Sequence, residues 1–186
     1  MVRIICLLTG YVFGLFQTGY LYGRMNHIDI RNYGSGNSGT TNALRVLGKK
    51  AGLIVFLGDF FKMVLACFLV RLVLGSDPNT DLYVLYTGLG VVLGHNFPCY
   101  LHFKGGKGIA SMAGLLISMD WRVAFVCGVV FLITVILTRY VSLGSIFVVI
   151  LFFIQMVFYE SRGVYQVAPD SRMEFYLLAG ILTVMA

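Results

Sequence analysis

The stretch AGLIVFLGDFFKMVLACFLVRLVL, residues 51–74, decides the fold. It is apolar almost throughout and contains no proline. It is also long enough for a helix to cross the ~30 Å hydrocarbon core of a bilayer, which takes about 20 residues at a rise of 1.5 Å each. Two side chains in its middle, Asp59 and Lys62, are charged, and Arg71 lies near its end. Ionisable groups inside a membrane are costly and usually face the bundle interior, and a spacing of three puts these two on one helix face. The stretch therefore predicts a spanning helix whose Asp59–Lys62 pair is structural, lying under a polar site rather than performing its chemistry.

Outward from this span the same pattern recurs. Apolar segments run from Ile4 to Gly23, Asp81 to Leu93, Ile109 to Met119, Val123 to Leu137, Leu143 to Tyr159 and Met173 to Ala186. With residues 51–74 they predict an all-α, polytopic transmembrane helical bundle of about seven membrane segments, some short, as one domain over residues 1–186. The segment after Arg3 runs on too long for the apolar region of a signal peptide, and no small-residue cleavage site follows it, so it reads as a mature helix. The last segment would rise only ~21 Å at helical pitch. This leads to the expectation that the chain continues past Ala186 into a cytoplasmic tail.

Composition agrees. Mean hydropathy is +0.87, with 59% hydrophobic and 12% charged residues, against about 25% charged in soluble domains. One water-soluble core cannot hide that much apolar surface in so short a chain. The aromatic content of 15% fits lipid-facing and interfacial positions without cofactor stacking. Cys6, Cys67, Cys99 and Cys127 lack CxxC spacing and read as free thiols, neither a disulfide framework nor a zinc site. The net charge is +6, and its placement gives an orientation. With the N-terminus outside, Arg24, Arg31, Arg45, Lys49, Lys50, Lys104, Lys107 and Arg139 fall inside. Arg3, Arg71, Arg122, Arg162 and Arg172 fall outside, among most of the acidic residues.

Two polar stretches then share the cytoplasmic side. The first is Gly34-Ser35-Gly36-Asn37-Ser38-Gly39-Thr40-Thr41-Asn42-Ala43-Leu44-Arg45. Glycines and small polar side chains let several backbone N–H groups surround one anion. Asn42 to Arg45 can begin a short helix whose N-terminus faces that anion, and Arg45 can grip phosphate oxygens through two N–H groups. A flexible polybasic loop uses the same residue types; the membrane-surface position and the following Lys49 and Lys50 favour the anion site. The second stretch runs from Gly94-His95-Asn96-Phe97-Pro98 to Lys104-Gly105-Gly106-Lys107-Gly108. It offers two ammonium groups, tightly folding backbone and a helix start at Ile109, but lacks the spacing of a Walker A loop. His95 reads equally as a general base or phosphate ligand and as a helix-end histidine bonded to backbone. His27 and His102 read as interfacial.

These residues resemble a known family. Gly34 to Arg45, then Gly94-His95 with Pro98 and Phe103 to Gly108, are similar to the motifs of the bacterial acyl-phosphate:glycerol-3-phosphate acyltransferases, the PlsY family. Thr138-Arg139-Tyr140-Val141-Ser142-Leu143-Gly144-Ser145 and the Asp59/Lys62 pair add to the likeness, which covers nearly the whole chain. The resemblance implies a seven-helix inner-membrane enzyme with a cytoplasmic active site. It moves a fatty acyl group from acyl phosphate to the 1-hydroxyl of glycerol 3-phosphate, making lysophosphatidic acid, with neither acyl-CoA nor acyl carrier protein as donor. It also implies roles in activity for Ser35 and Arg45, and an acyl-phosphate loop at Lys104, Gly105, Gly106, Lys107 and Gly108. Ser38 and Thr40 stand where the family often has Pro and Ala. The family's third motif, a C-terminal segment with His, Asn and Glu, has no match here.

Acyl phosphate carries a good leaving group, so the expected site positions two phosphorylated substrates and neutralises their repulsion. Ser35, Arg45 and His95 are the expected catalytic residues. Gly34, Gly36, Asn37, Gly39, Thr41, Asn42 and the Lys104–Gly108 loop are the expected substrate contacts. Ser35 and Asn37 would orient substrate or stabilise an oxyanion, and the hydroxyl proton would go to a substrate phosphate oxygen, or to His95. No cofactor, metal or nucleic acid enters this expectation; the partners are the two substrates and membrane lipid. A transporter or channel for a small phosphorylated anion would use similar loops, but predicts internal repeats, and none is visible. An inactive homologue that still binds is the third reading.

Overall fold

The computed structural model describes residues 1–186 and contains helices joined by loops, with no strand. In chain order they are α1 (Val2–Gly14), α2 (Thr18–Met25), α3 (Thr40–Leu47), α4 (Lys49–Leu74), α5 (Thr80–Asn96), α6 (Ile109–Met119), α7 (Trp121–Thr138), α8 (Val141–Ser161) and α9 (Arg172–Met185). The α1–α2 unit, α4, α7 and α8 are long and apolar enough to cross a membrane. The shorter α5, α6 and α9 complete the seven segments expected. Of the residues of α5, fourteen of seventeen are buried, so its neighbours rather than lipid surround it. Helices α4, α7 and α8 instead turn side chains such as Leu72, Leu137 and Ile154 outward.

The tightest helix contact in the bundle is the crossing of α1 and α5. Both carry glycines four apart, Gly10 and Gly14 on α1, Gly90 and Gly94 on α5. A β-carbon on Gly10 would overlap the carbonyl of Thr87, one on Gly14 that of Val91, one on Gly90 that of Leu7 and one on Gly94 that of Tyr11. Backbone therefore packs on backbone, the arrangement that small residues four apart permit between membrane helices. Around this pair, Met63 of α4, Leu85 of α5, Met112 and Leu115 of α6, Phe152 of α8 and Phe175 of α9 form one buried apolar cluster.

The first span departs from expectation. Residues 4–23 read as one uninterrupted helix, but the chain breaks between Gly14 and Thr18. Neither proline nor flexibility causes this. A break inside a membrane protein is tolerated where the freed backbone groups find partners within the protein, and here three carbonyls do. Gln17 Nε2 donates to Gly14 O (3.3 Å), the Tyr100 hydroxyl to Leu15 O (2.9 Å) and Lys62 Nζ to Phe16 O (2.8 Å). The intramembrane lysine of the opening stretch thus serves the first span as well as Asp59, which it meets at 2.9 Å.

The two ends of the bundle differ. At the end away from the glycine-rich loops, Arg3 pairs with Glu174 (2.7 Å), Arg71 with Asp81 (2.6 Å), Arg122 with Asp120 (2.5 Å) and Arg172 with Glu160 (3.0 Å). At the loop end the only such pair is Arg31 with Asp29 (2.7 Å).

Candidate active site

The first glycine-rich loop is shaped by Asn42. Its side chain accepts from Ser35 N (2.9 Å) and donates towards Asn37 O (2.9 Å), Tyr33 O (3.0 Å) and Ile30 O (3.2 Å). Asn37 Oδ1 in turn accepts from Gly39 N (2.7 Å). Gly34 and Gly36 take positive φ, +61° and +73°, so the chain can coil round the amide without the penalty a β-carbon would bring. Helix α3 begins at Thr40, two residues before the start expected, and turns Arg45 outward. Ser35 and Thr41 are exposed as well, whereas Asn42, expected at the substrate, is buried in the loop's interior.

The second loop folds back on the end of α5. Gly105 N donates to Asn96 O (3.1 Å) and Gly106 N to His95 O (3.0 Å). A β-carbon on Gly105 would overlap His95 O, and one on Gly106 would overlap the His95 ring at Nε2. The two glycines are needed for this close approach as much as for any ligand. Just upstream, His102 and Phe103 both take left-handed conformations, φ +55° and +57°. For a bulky residue such as Phe103 that is strain, of the kind that collects at functional sites. Gly108, at φ +78°, then admits the chain to α6. Lys104 and Lys107 are exposed and make no ion pair.

Two devices hold the loops together. Arg31, anchored on Asp29 and stacked over the Tyr20 ring at 4.9 Å, donates to Leu101 O (3.2 Å) and Lys104 O (3.5 Å) of the second loop. The guanidinium, through its hydrogen bonds to Asp29, holds that carboxyl below the usual carboxylate range. Beneath, Ser38 Oγ donates to Gln17 Oε1 (3.2 Å), while Gln17 Nε2 donates to His95 O (2.9 Å) and Gly94 O (3.2 Å). The floor is His95, whose Nδ1 lies 2.8 Å from Lys62 Nζ. Asp59 Oδ1 holds Lys62 and accepts from the Thr18 hydroxyl (3.2 Å).

The sites expected on both loops are therefore brought to one end of the bundle, with Arg45, Lys104 and Lys107 free to meet anions. Arg31, Asp29 and Gln17 were not among the expected site residues. A polar Gln17 inside an apolar span was a usable signal; Arg31 had counted only towards orientation. Such a surface, glycine-shaped backbone, unpaired cations and helix N-termini, suits phosphorylated ligands.

Comparison with known proteins agrees with this geometry. The sequence profile of the glycerol-3-phosphate acyltransferase family matches residues 4–186. Among similar curated proteins, a glycerol-3-phosphate acyltransferase of Prochlorococcus marinus (strain NATL1A) is 42% identical over 145 residues, covering 77% of this chain and 71% of its own. Glycerol-3-phosphate acyltransferase 2 of Lactobacillus acidophilus is 44% identical over 151 residues, covering 81% and 70%. The crystal structure of PlsY, an integral membrane glycerol 3-phosphate acyltransferase, in its glycerol 3-phosphate form superposes with a TM-score of 0.81 at 32% identity, over 99% of this chain and 87% of that one. Its lysophosphatidic acid form gives 0.78 at 31% identity. The chain is a multi-pass membrane protein, and it belongs to the glycerol-3-phosphate acyltransferase family.

Proposed function

We propose that this protein transfers a fatty acyl group from acyl phosphate to the 1-hydroxyl of sn-glycerol 3-phosphate, the first step of bacterial phospholipid synthesis. The ester C–O bond forms as the carbonyl–phosphate bond breaks, and the products are lysophosphatidic acid and inorganic phosphate. The observation that carries the reading is the pairing of two glycine-shaped loops at one end of the bundle, tied by Arg31 and carrying the unpaired cations Arg45, Lys104 and Lys107. Two phosphorylated substrates repel each other, and cations shared between them lower that repulsion while fixing their geometry. With both loops at the same end, transfer between two bound substrates is favoured over passage of an anion across the membrane.

In this reading Arg45 and one of the two loop lysines grip the phosphate groups. Ser35 and Asn37, with Thr41 and the backbone of Gly34, Gly36 and Gly39, orient substrate or stabilise the oxyanion. Asn42 keeps that loop in shape. The Gly105–Gly106–Lys107–Gly108 backbone wraps the acyl phosphate, and His95 lies beneath it. The leaving group is already good, so the hydroxyl proton passes to a substrate phosphate oxygen and no strong base is required. The site faces the cytoplasm of a bacterial inner membrane, with the N-terminus outside.

The test is product formation by the purified protein in lipid, given glycerol 3-phosphate with acyl phosphate or with acyl-CoA. Lysophosphatidic acid from acyl phosphate alone is expected, and Arg45→Ala should reduce kcat/KM by about 100-fold or more, as loss of a charge-assisted phosphate contact does. Turnover with acyl-CoA but not acyl phosphate would overturn the donor assignment. Near-normal turnover in Arg45→Ala and Ser35→Ala would overturn the residue roles.

A further inference from the structure

The second loop rests on His95, whose side chain is almost wholly buried. The ring has two faces to account for. At Nδ1 it meets Lys62 Nζ at 2.8 Å. That nitrogen also lies 2.8 Å from Phe16 O and 2.9 Å from Asp59 Oδ1, with Gly14 O further off at 3.4 Å. Phe16 O and Asp59 Oδ1 can only accept. A neutral lysine would leave the buried Asp59 carboxylate without a countercharge, which is strongly unfavourable. Lys62 is therefore an ammonium, with three hydrogens for three close acceptors and no lone pair with which to accept. His95 Nδ1 must be one of those acceptors, so the ring proton sits on Nε2. Nε2 faces the backbone of Gly106, and no group of the chain accepts its hydrogen. Gln17 Nε2, on His95 O, and Gly106 N, on the same carbonyl, fix the backbone that carries the ring.

We propose that Lys62, held by Asp59 and by the broken first span, is a positioning residue that locks His95 as a neutral imidazole with its proton on Nε2. His95 then donates a hydrogen bond to a phosphoryl oxygen held in the Lys104–Gly108 loop, and does not act as a base. This deepens the proposed function and rests on it for the identity of the phosphate compound. The donor stays neutral and keeps its proton throughout transfer. It stabilises the charge that gathers on the departing phosphate, while the glycerol hydroxyl's proton leaves by another route. It also explains two glycines side by side: a side chain at Gly106 would cover the nitrogen that must reach the ligand.

The experiment is nitrogen NMR on the full-length protein in lipid nanodiscs with 15N-imidazole label. The chain has three histidines, and His27→Gln and His102→Gln each remove one signal, which assigns the third. A neutral Nε2–H ring is expected, unchanged between about pH 6 and 8 where a free imidazole titrates, with an Nε2 shift on adding millimolar inorganic phosphate. An Nδ1–H ring, an imidazolium, or an Nε2 signal that phosphate leaves unmoved would each overturn the proposal. Kinetics give an independent arm. Glutamine can place an N–H where Nε2 lies, asparagine only near Nδ1. His95→Asn should therefore raise KM for acyl phosphate at least about tenfold more than His95→Gln, roughly the worth of one charge-assisted bond. A general base would instead lose kcat by about 10²- to 10⁴-fold in both variants, which would also overturn it. Nε2–H with a phosphate-dependent shift, in a protein that makes no lysophosphatidic acid, would sink the acyl-transfer reading and leave the His95 assignment standing.

Discussion

Asn42 offers two amide hydrogens and a carbonyl to four backbone groups from Ile30 to Asn37. No other side chain meets so many parts of the first loop. Truncation in Asn42→Ala leaves several buried backbone groups unpaired, each worth about 1–3 kcal/mol, so a loss of about 2–4 kcal/mol is expected in thermal unfolding, with turnover falling further than stability. An Asn42→Asp variant keeps the acceptor but sets a carboxylate oxygen against the carbonyls of Ile30, Tyr33 and Asn37, so it should lose at least as much. The Asp29–Arg31 pair acts at the same scale and has a pH signature. Arg31 lowers the Asp29 carboxyl from its ordinary value of 3.8. A depressed carboxylate contributes its stabilisation fully above the unfolded value and loses it as pH falls through the folded one. The clamp between the loops should therefore be constant from neutral pH down to about pH 4 and weaken only below. Hydrogen exchange over residues 98–108 reads this directly. Asp29→Asn should raise exchange at neutral pH and remove the acid dependence; an acid limb that persists in the variant would assign it to another group.

At the scale of elements, the crossing of α1 and α5 is the least tolerant part of the fold. A side chain at Gly10 meets backbone, the Thr87 carbonyl, rather than a rotamer that can swing aside. Gly10→Val should destabilise by about 3 kcal/mol or more, at the upper end for overpacking, and shift thermal unfolding in detergent to lower temperature. Gly128→Val, on α7 with nothing close to its β-carbon, should be nearly silent. The glycines four apart were legible as residues, but their partners were not, because Gly10 meets a helix more than seventy residues away. The same limit hid the break in the first span. Residues 4–23 contain no proline at the break, and local propensity favours a continuous helix. What stabilises the break is Lys62, Tyr100 and Gln17, two of them distant in sequence. The seven segments themselves needed only local apolarity and length, and so were readable. The loops were readable for the same reason: glycine and small polar residues crowd into short runs. The tie through Arg31 crosses seventy residues from loop to loop and leaves no local trace.

Over the whole molecule, charge is sorted by partner as well as by position. Arg3, Arg71, Arg122 and Arg172 at one end each meet a carboxylate, and Arg162 lies over the Phe158 ring. At the other end Arg45, Lys49, Lys50, Lys104, Lys107 and Arg139 are exposed without an ion pair. One arrangement answers two demands. Unpaired Lys and Arg near the membrane surface favour retention in the cytoplasm, and the same uncompensated positive field draws in phosphorylated substrates. If both demands act together, the loop end must face the cytoplasm. The native cysteines allow a direct test. Cys99, in the turn between α5 and the second loop, is exposed, while Cys6, Cys67 and Cys127 are buried. A membrane-impermeant maleimide should label the protein in inside-out vesicles and leave it unlabelled in right-side-out vesicles, and Cys99→Ser should abolish the labelling. Labelling only from the outside would reverse the bundle. The cation-rich loops would then face away from the cytoplasm, and the proposed orientation of the site would fail.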